Sequence, residues 1–163
     1  HSPHYIEKFR VLERPRYTEM LCKELADKFA NDNVSLVVGP MTGGILLAYE
    51  VGKKLDTKAI FTERVDGKMK FRRGFEVKPD DRVLIVEDII STGGSVQEVI
   101  DEVRRFKAEI VGVGCLVDRS GGRVDFGIPL RPLVKMDVVS FKTDEVPDWL
   151  AKIPVTKPGS TNK

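Results

Sequence analysis

Two adjacent carboxylates, Glu87 and Asp88, end an apolar run and are followed closely by Ser91-Thr92-Gly93-Gly94-Ser95. Glycines let a backbone turn tightly, and consecutive N–H groups at a helix N-terminus cradle a phosphate. The hydroxyls of Ser91, Thr92 and Ser95 add further bonds to phosphate oxygens. A carboxylate pair beside a phosphate is repelled by it unless it faces something else, and sugar hydroxyls or a divalent cation are suitable partners. The chemistry suggested is the holding of a ribose 5-phosphate with a metal nearby. An isolated Ser-Thr-Gly-Gly would read as an ordinary helix cap; the preceding Val83-Leu84-Ile85-Val86 argues against that.

Other phosphate signatures fail. Gly39 and Gly44 have the separation of a P-loop, but Ile45 and Leu46 stand where Lys and Ser or Thr are required. Gly112-Val113-Gly114 is not a dinucleotide fingerprint, because Val117 replaces the third glycine. A second concentration of chemistry lies between Glu63 and Gly74, where Arg64, Lys68, Lys70, Arg72 and Arg73 are offset by Asp66 alone. Such a run is usually a solvated hairpin. Beside a polyanionic leaving group it would be a catalytic lid.

The elements that must position these residues alternate. A helix opens at Pro15 and carries Met20, Leu21, Leu25 and Phe29 at helical spacing. Apolar strands are expected at 34–38, 58–62, 82–86, 109–117 and 134–139, and helices at 45–55 and 96–106. The segment 63–74, with its Asp66-Gly67 turn signal, reads as a mobile loop or long hairpin rather than a packed element. The tail from 142 is charged and Pro-rich, with a short helix around Trp149. Strands apolar on both faces, alternating with helices, give an α/β fold with a mostly parallel central sheet. Its ligands belong beyond the carboxyl ends of the strands, at 39–44, 87–95 and 118–122.

Composition fits one soluble domain over 1–163: 163 residues, 41% hydrophobic, 32% charged and a net charge of +2. No apolar run approaches the ~20 residues of a spanning helix. The charge is too mild to point to nucleic acid by itself. Cys22 and Cys115 sit in apolar surroundings without metal spacing, which favours a reducing, cytoplasmic setting. The chain starts at His1, and a preceding segment is expected.

The run from Val83 to Ser95 resembles the phosphoribosyl pyrophosphate motif of the type I phosphoribosyltransferases, and among them it is most similar to the orotate-using branch. The likeness extends through His1-Ser2-Pro3-His4-Tyr5, Gly39-Pro40-Met41-Thr42-Gly43-Gly44, Phe61-Thr62-Glu63-Arg64, Lys68, Arg72-Arg73-Gly74-Phe75 and Leu116 to Gly122. The tail at Ile153-Pro154 and Lys157 to Ser160 also matches one bacterial branch.

The resemblance implies the type I fold, with a small hood and a flexible catalytic hairpin. It also implies a reaction in which orotate and phosphoribosyl pyrophosphate (PRPP) give orotidine 5'-monophosphate and pyrophosphate, with Mg²⁺ carried by PRPP rather than held by protein ligands. Glu87 and Asp88 would hold the ribose hydroxyls. Ile89, Ile90, Ser91, Thr92, Gly93, Gly94 and Ser95 would bind PRPP, the stretch from Ser91 to Ser95 taking the 5-phosphate, with Asp88 also acting in catalysis. Thr42 and Gly43 would face the pyrophosphate, and Met41-Thr42 is where a non-proline cis peptide is expected. Ser91 and Arg119 would contact orotate, and the backbone around Tyr5 and Ile6 would frame the base. Lys68 and Arg64 would be lid cations acting on the neighbouring subunit of a homodimer.

Departures narrow these roles. Val65 and Lys70 replace a lysine and a histidine found in another branch's lid, which leaves Lys68 as the preferred cation. Gly43 stands where many relatives carry lysine, and Val146-Pro147-Asp148-Trp149 replaces a Cys-Pro-x-Cys pair. His1 and His4 are expected to be structural rather than ligands. A transferase for a purine or uracil, and a PRPP-sensing regulator, are the competing readings.

Overall fold

The computed structural model describes residues 2, 4–138, 141 and 145–154. Strands β1 (Leu36–Pro40), β2 (Lys58–Val65), β3 (Lys68–Phe71), β4 (Arg82–Ile90), β5 (Glu109–Asp118) and β6 (Leu130–Lys135) form one sheet in the order β3-β2-β1-β4-β5-β6. All neighbouring pairs are parallel except β2–β3. Helices α1 (Phe9–Leu12), α2 (Pro15–Asp27), α3 (Gly43–Leu55), α4 (Gly94–Arg104) and α5 (Asp148–Ala151) complete the described elements.

Period-two alternation sends each strand's side chains to both faces. Val37, Leu84 and Val86 join Leu25 of α2, Phe29 in the turn after it, and Leu47 and Val51 of α3 in one core. Val38, Val83 and Ile85 join Val96, Val99, Ile100 and Val103 from α4 in the other. Gly112 and Gly114 make room for α2: a Cβ on either would come within about 3 Å of the Phe29 ring. The Gly-Val-Gly run is therefore a packing feature, as its failure as a nucleotide fingerprint suggests.

Several boundaries move. β4 runs past Val86 to Ile90, because β5 continues beside it and pairs Glu87 with Cys115 and Ile90 with Asp118. The carboxylate pair is thus inside a strand. Of the mobile loop or long hairpin expected at 63–74, the hairpin forms: β2 and β3 pair from Thr62↔Phe71 to Val65↔Lys68, closed by Asp66 at φ 49° and Gly67 at φ 78°. Positive φ at both turn residues matches the twist of a two-residue hairpin. Met69 is buried on this hairpin, so it is a packed element in part.

The strand expected at 134–139 lies instead at Leu130–Lys135. Pro132 hides it in the sequence, yet proline is tolerated on an edge strand, and β6 is an edge. Residues 139 and 140, and the tail matches from 155 onward, lie outside the described residues.

Candidate active site

Chain order reverses between β1 and β4: β2 lies outward of β1 on one side, and β5 outward of β4 on the other. Open α/β sheets bind ligands at such a point, beyond the strands' carboxyl ends. The loops following β1 and β4 meet there.

After β4 the chain turns through Gly93 at φ 77° and enters α4 with no side chain capping its N-terminus and no acid in the first turn. The first N–H groups of a helix have no intrahelical partners, so this end is open to an anion. A Cβ on Gly93 would also lie 2.9 Å from Val124 and 3.0 Å from Phe126. Glu87, Ile89, Ile90 and the stretch 91–96 line an open cleft of about 130 Å³. A second cleft, of about 460 Å³, shares Ser91 and Thr92 with it and adds Arg119, Arg123 and Asp137. The backbone under Arg119 is fixed by its N–H donating to the Ile90 carbonyl at 2.9 Å and by Ser120 N–H donating to Asp118 Oδ1 at 2.8 Å.

Asp88 is placed differently from Glu87. It is not among the residues lining either cleft and is only 1% exposed. Lys8 Nζ donates to its Oδ1 at 2.8 Å and lies 2.7 Å from its Oδ2. Gly43 abuts the same carboxylate, since a Cβ there would fall 1.7 Å from Oδ2. A lysine at this position has no room against Asp88 as it stands. Met41-Thr42 is a cis peptide, and the exposed Thr42 precedes α3. On the N-terminal segment Tyr5 is exposed and Ile6 half-buried.

The hairpin cations lie elsewhere. Arg64 pairs with Glu98 at 3.1 Å, Lys70 with Glu102 at 2.7 Å and Arg73 with Glu63 at 2.7 Å. Lys68 lines a groove of about 540 Å³ between the hairpin and α4. Among the described residues Lys68 and Arg72 have no carboxylate within ion-pair distance. The structure therefore brings Glu87, 89–95 and Arg119 together, and sets Lys68 and Arg64 along the flank of α4.

Three residues at the site were not legible as site residues. Lys8 carries no local signal, because its partner is far along the chain. Arg123 follows Arg119 within one glycine-rich turn, a proximity that offers a clue. Asp137 is a lone acid in the sequence, and only its bridge to Ser120 brings it to the site.

Glu87 is electrostatically unusual. Burial and the neighbouring Asp88 charge push its carboxyl up to about 8, only partly offset by the Asp88 N–H and Lys8. The Asp88 N–H donates to Glu87 Oε1 at 2.9 Å. A carboxyl whose pKa is higher folded than unfolded favours the fold fully below its unfolded value, and that contribution is lost as pH rises through the folded value. Glu87→Gln cannot ionise, so its melting temperature should gain on the parent's between about pH 5 and about pH 9, by about 2–4 °C for each kcal/mol relieved. Thermal denaturation at both pH values checks this. A difference that stays constant would show that Glu87 is already ionised in acid.

Among the described residues no group of three or more His, Cys, Asp or Glu side chains is arranged to hold a metal. The donors at the cleft beyond β4 are hard oxygens, the Glu87 carboxyl and the hydroxyls of Ser91, Thr92 and Ser95. They suit Mg²⁺ arriving on a phosphorylated substrate, since that ion keeps several waters and needs few protein ligands. Cys22 and Cys115 are free and buried, with burial pushing both thiols up to about 12. No helix among the described residues is long and apolar enough to cross a membrane.

Comparison with known proteins agrees with this geometry. Residues 13–128 match the model of the phosphoribosyl transferase domain. The chain is 48% identical over 162 residues to the orotate phosphoribosyltransferase of Carboxydothermus hydrogenoformans, covering 98% of this chain and 85% of that one. It is 46% identical over 160 residues to the orotate phosphoribosyltransferase of Caldanaerobacter subterraneus subsp. tengcongensis, covering 98% and 84%. Among solved structures, the orotate phosphoribosyltransferase of Mycobacterium tuberculosis in complex with inorganic phosphate superposes with a TM-score of 0.67 at 23% identity, over 80% of this chain and 78% of that one; that likeness shows the fold. On this family match and these identities over nearly its whole length, the chain is a member of the phosphoribosyl transferase domain family and, within it, of the orotate phosphoribosyltransferases.

Proposed function

We propose that this chain transfers the ribose 5-phosphate of PRPP to orotate, giving orotidine 5'-monophosphate and pyrophosphate for pyrimidine nucleotide synthesis. The observation that carries it is the pair of clefts sharing Ser91 and Thr92: one ends on an uncapped helix N-terminus, the other on Arg119. A phosphate in the first and a carboxylate-bearing base in the second would be joined through one ribose.

In this reading the backbone and hydroxyls of 91–95 take the 5-phosphate, and Glu87 and Asp88 serve the ribose hydroxyls. Arg119, whose planar fork matches a carboxylate, orients orotate together with Ser91. Tyr5 and Ile6 frame the base. As the C1–pyrophosphate bond breaks and a base nitrogen bonds to C1, positive charge grows on the ribose and negative charge on the departing oxygens. Cations aimed at those oxygens stabilise the transition state more than the ground state. Thr42 and Gly43 lie at the leaving-group loop, and Lys68, with Arg64, is the lid cation.

Lys68 lies along α4 rather than in the phosphate cleft of its own chain. That placement supports a homodimer in which each hairpin serves the neighbouring site. Mg²⁺, bound on PRPP, supplies charge neutralisation at the pyrophosphate. A cytoplasmic location fits the two unpaired cysteines.

A base panel tests the reading. With PRPP and Mg²⁺, orotate should be consumed while uracil, hypoxanthine, guanine and adenine are not, as followed by absorbance and product chromatography; a chelator should stop the reaction. Turnover of uracil or a purine in place of orotate would reassign the substrate. PRPP binding without turnover of any base would point to a regulator.

A further inference from the structure

Asp88 is a buried carboxylate fenced on three sides. Its Oδ1 accepts the Ile89 N–H at 2.7 Å and the Lys8 ammonium at 2.8 Å. Its Oδ2 lies 2.7 Å from the same ammonium and faces the bare Cα of Gly43. A buried charge needs a partner to remain ionised and in place. Lys8 is the ion-pair partner the described residues give it. The ammonium comes from a segment remote in sequence: Lys8 precedes the single turn of α1, which is anchored by buried Leu12.

We infer that Lys8 is a positioning residue of the transfer: its ammonium seats the Asp88 carboxylate against Gly43 and ties the segment bearing Tyr5 and Ile6 to the ribose end of the site. The inference rests on the transfer reading above and adds a residue and a role to it. One carboxylate thereby joins three stretches that must be in register when the base meets C1: the N-terminal segment, the 39–44 loop and the end of β4. Lys8 acts through Asp88 and touches no reacting atom. Glu87 lies beside this seat, its Oε1 accepting the Asp88 backbone N–H at 2.9 Å.

The steric side of the arrangement is as informative as the charge. With Gly43 bare, the carboxylate fits between ammonium and backbone. A methyl group at that position has to displace Oδ2 even with Lys8 intact, since the Cβ would sit 1.7 Å away. Two unrelated changes, one removing an attraction and the other adding a repulsion, should then disturb the same carboxylate and give the same kinetic pattern.

The test measures steady-state kinetics and PRPP binding by calorimetry for the parent chain, Lys8→Met, Lys8→Arg and Gly43→Ala. Misplacing reacting groups by about 1 Å costs on the order of 10²-fold. Lys8→Met and Gly43→Ala should therefore each lose about that factor in kcat/KM for orotate, with kcat falling. In Lys8→Met, PRPP affinity, carried mainly by the 91–95 backbone, should change by less than about tenfold. Lys8→Arg should recover most of the loss.

Unchanged kcat and KM in Lys8→Met, or an equal loss in Lys8→Arg, would overturn the inference. So would a loss that disappears once rates are expressed per PRPP-binding site, because that is the mark of a merely structural lysine. Should Lys8→Met fail to fold, Lys8→Gln decides through the same kcat and affinity split, Gly43→Ala showing only that the seat of Asp88 matters. The parent is the control: a parent that binds PRPP but converts no base refutes the transfer reading itself. Normal parental turnover with an indifferent Lys8→Met refutes only the role of Lys8.

Discussion

Arg119→Ala should abolish the use of orotate while leaving PRPP bound. Arg119 is half-buried in the larger cleft, on a backbone pinned at Ile90 and Asp118, so its fork is presented from a fixed base. Truncating one partner of a hydrogen-bonded charge pair that excludes water costs about 2–5 kcal/mol, on the order of 10²–10³-fold in kcat/KM. The phosphate cleft is lined by other residues and keeps its open helix end. Calorimetric titration with PRPP and a rate assay with orotate separate the two effects. Equal loss of both ligands would remove Arg119 from base recognition.

Lys68→Ala should lower kcat by about 10²-fold with little change in the orotate KM, because an interaction made chiefly in the transition state is read in kcat. An unchanged rate would remove Lys68 from the mechanism. Its position on the α4 flank adds a sharper test. If each hairpin serves its neighbour, mixing inactive Lys68→Ala chains with inactive Arg119→Ala chains and letting them exchange should restore activity. A symmetric dimer with one intact site in half of its members predicts about one quarter of the parental rate. No recovery after demonstrated exchange would place the hairpin on its own chain's site.

The cleft beyond β4, the proposed phosphate site, was legible in its local structure because that is contiguous: strand, carboxylates, glycine turn and helix follow one another from Val83 to Ser95. Arg119 was legible for a similar reason, since it follows the end of β5 directly. The parts that sequence did not disclose depend on partners. The pairing of Glu87 and Asp88 inside β4 comes from the length of β5 beside it. The hairpin at 63–74 is ordered by cross-strand pairing and by Glu98, which accepts the Met69 N–H at 3.0 Å. Strand β6 is hard to place from sequence because its apolar signal is interrupted by Arg131, which pairs with Asp32, and by Pro132, which an edge position tolerates. Lys8 was invisible for the plainest reason: the carboxylate it holds is brought to it by the fold alone.

The Phe29 ring is enclosed between the bare Cα atoms of Gly112 and Gly114 and the guanidinium of Arg131, which stands 4.7 Å from the ring centre and is itself paired with Asp32. These positions cannot drift independently as the sequence diverges. A methyl gained on β5 requires a smaller ring in the turn after α2, and a smaller ring leaves the arginine of the edge strand without its platform. Substitution there is therefore expected to proceed by compensating steps, with the order of the changes deciding which intermediates stay folded.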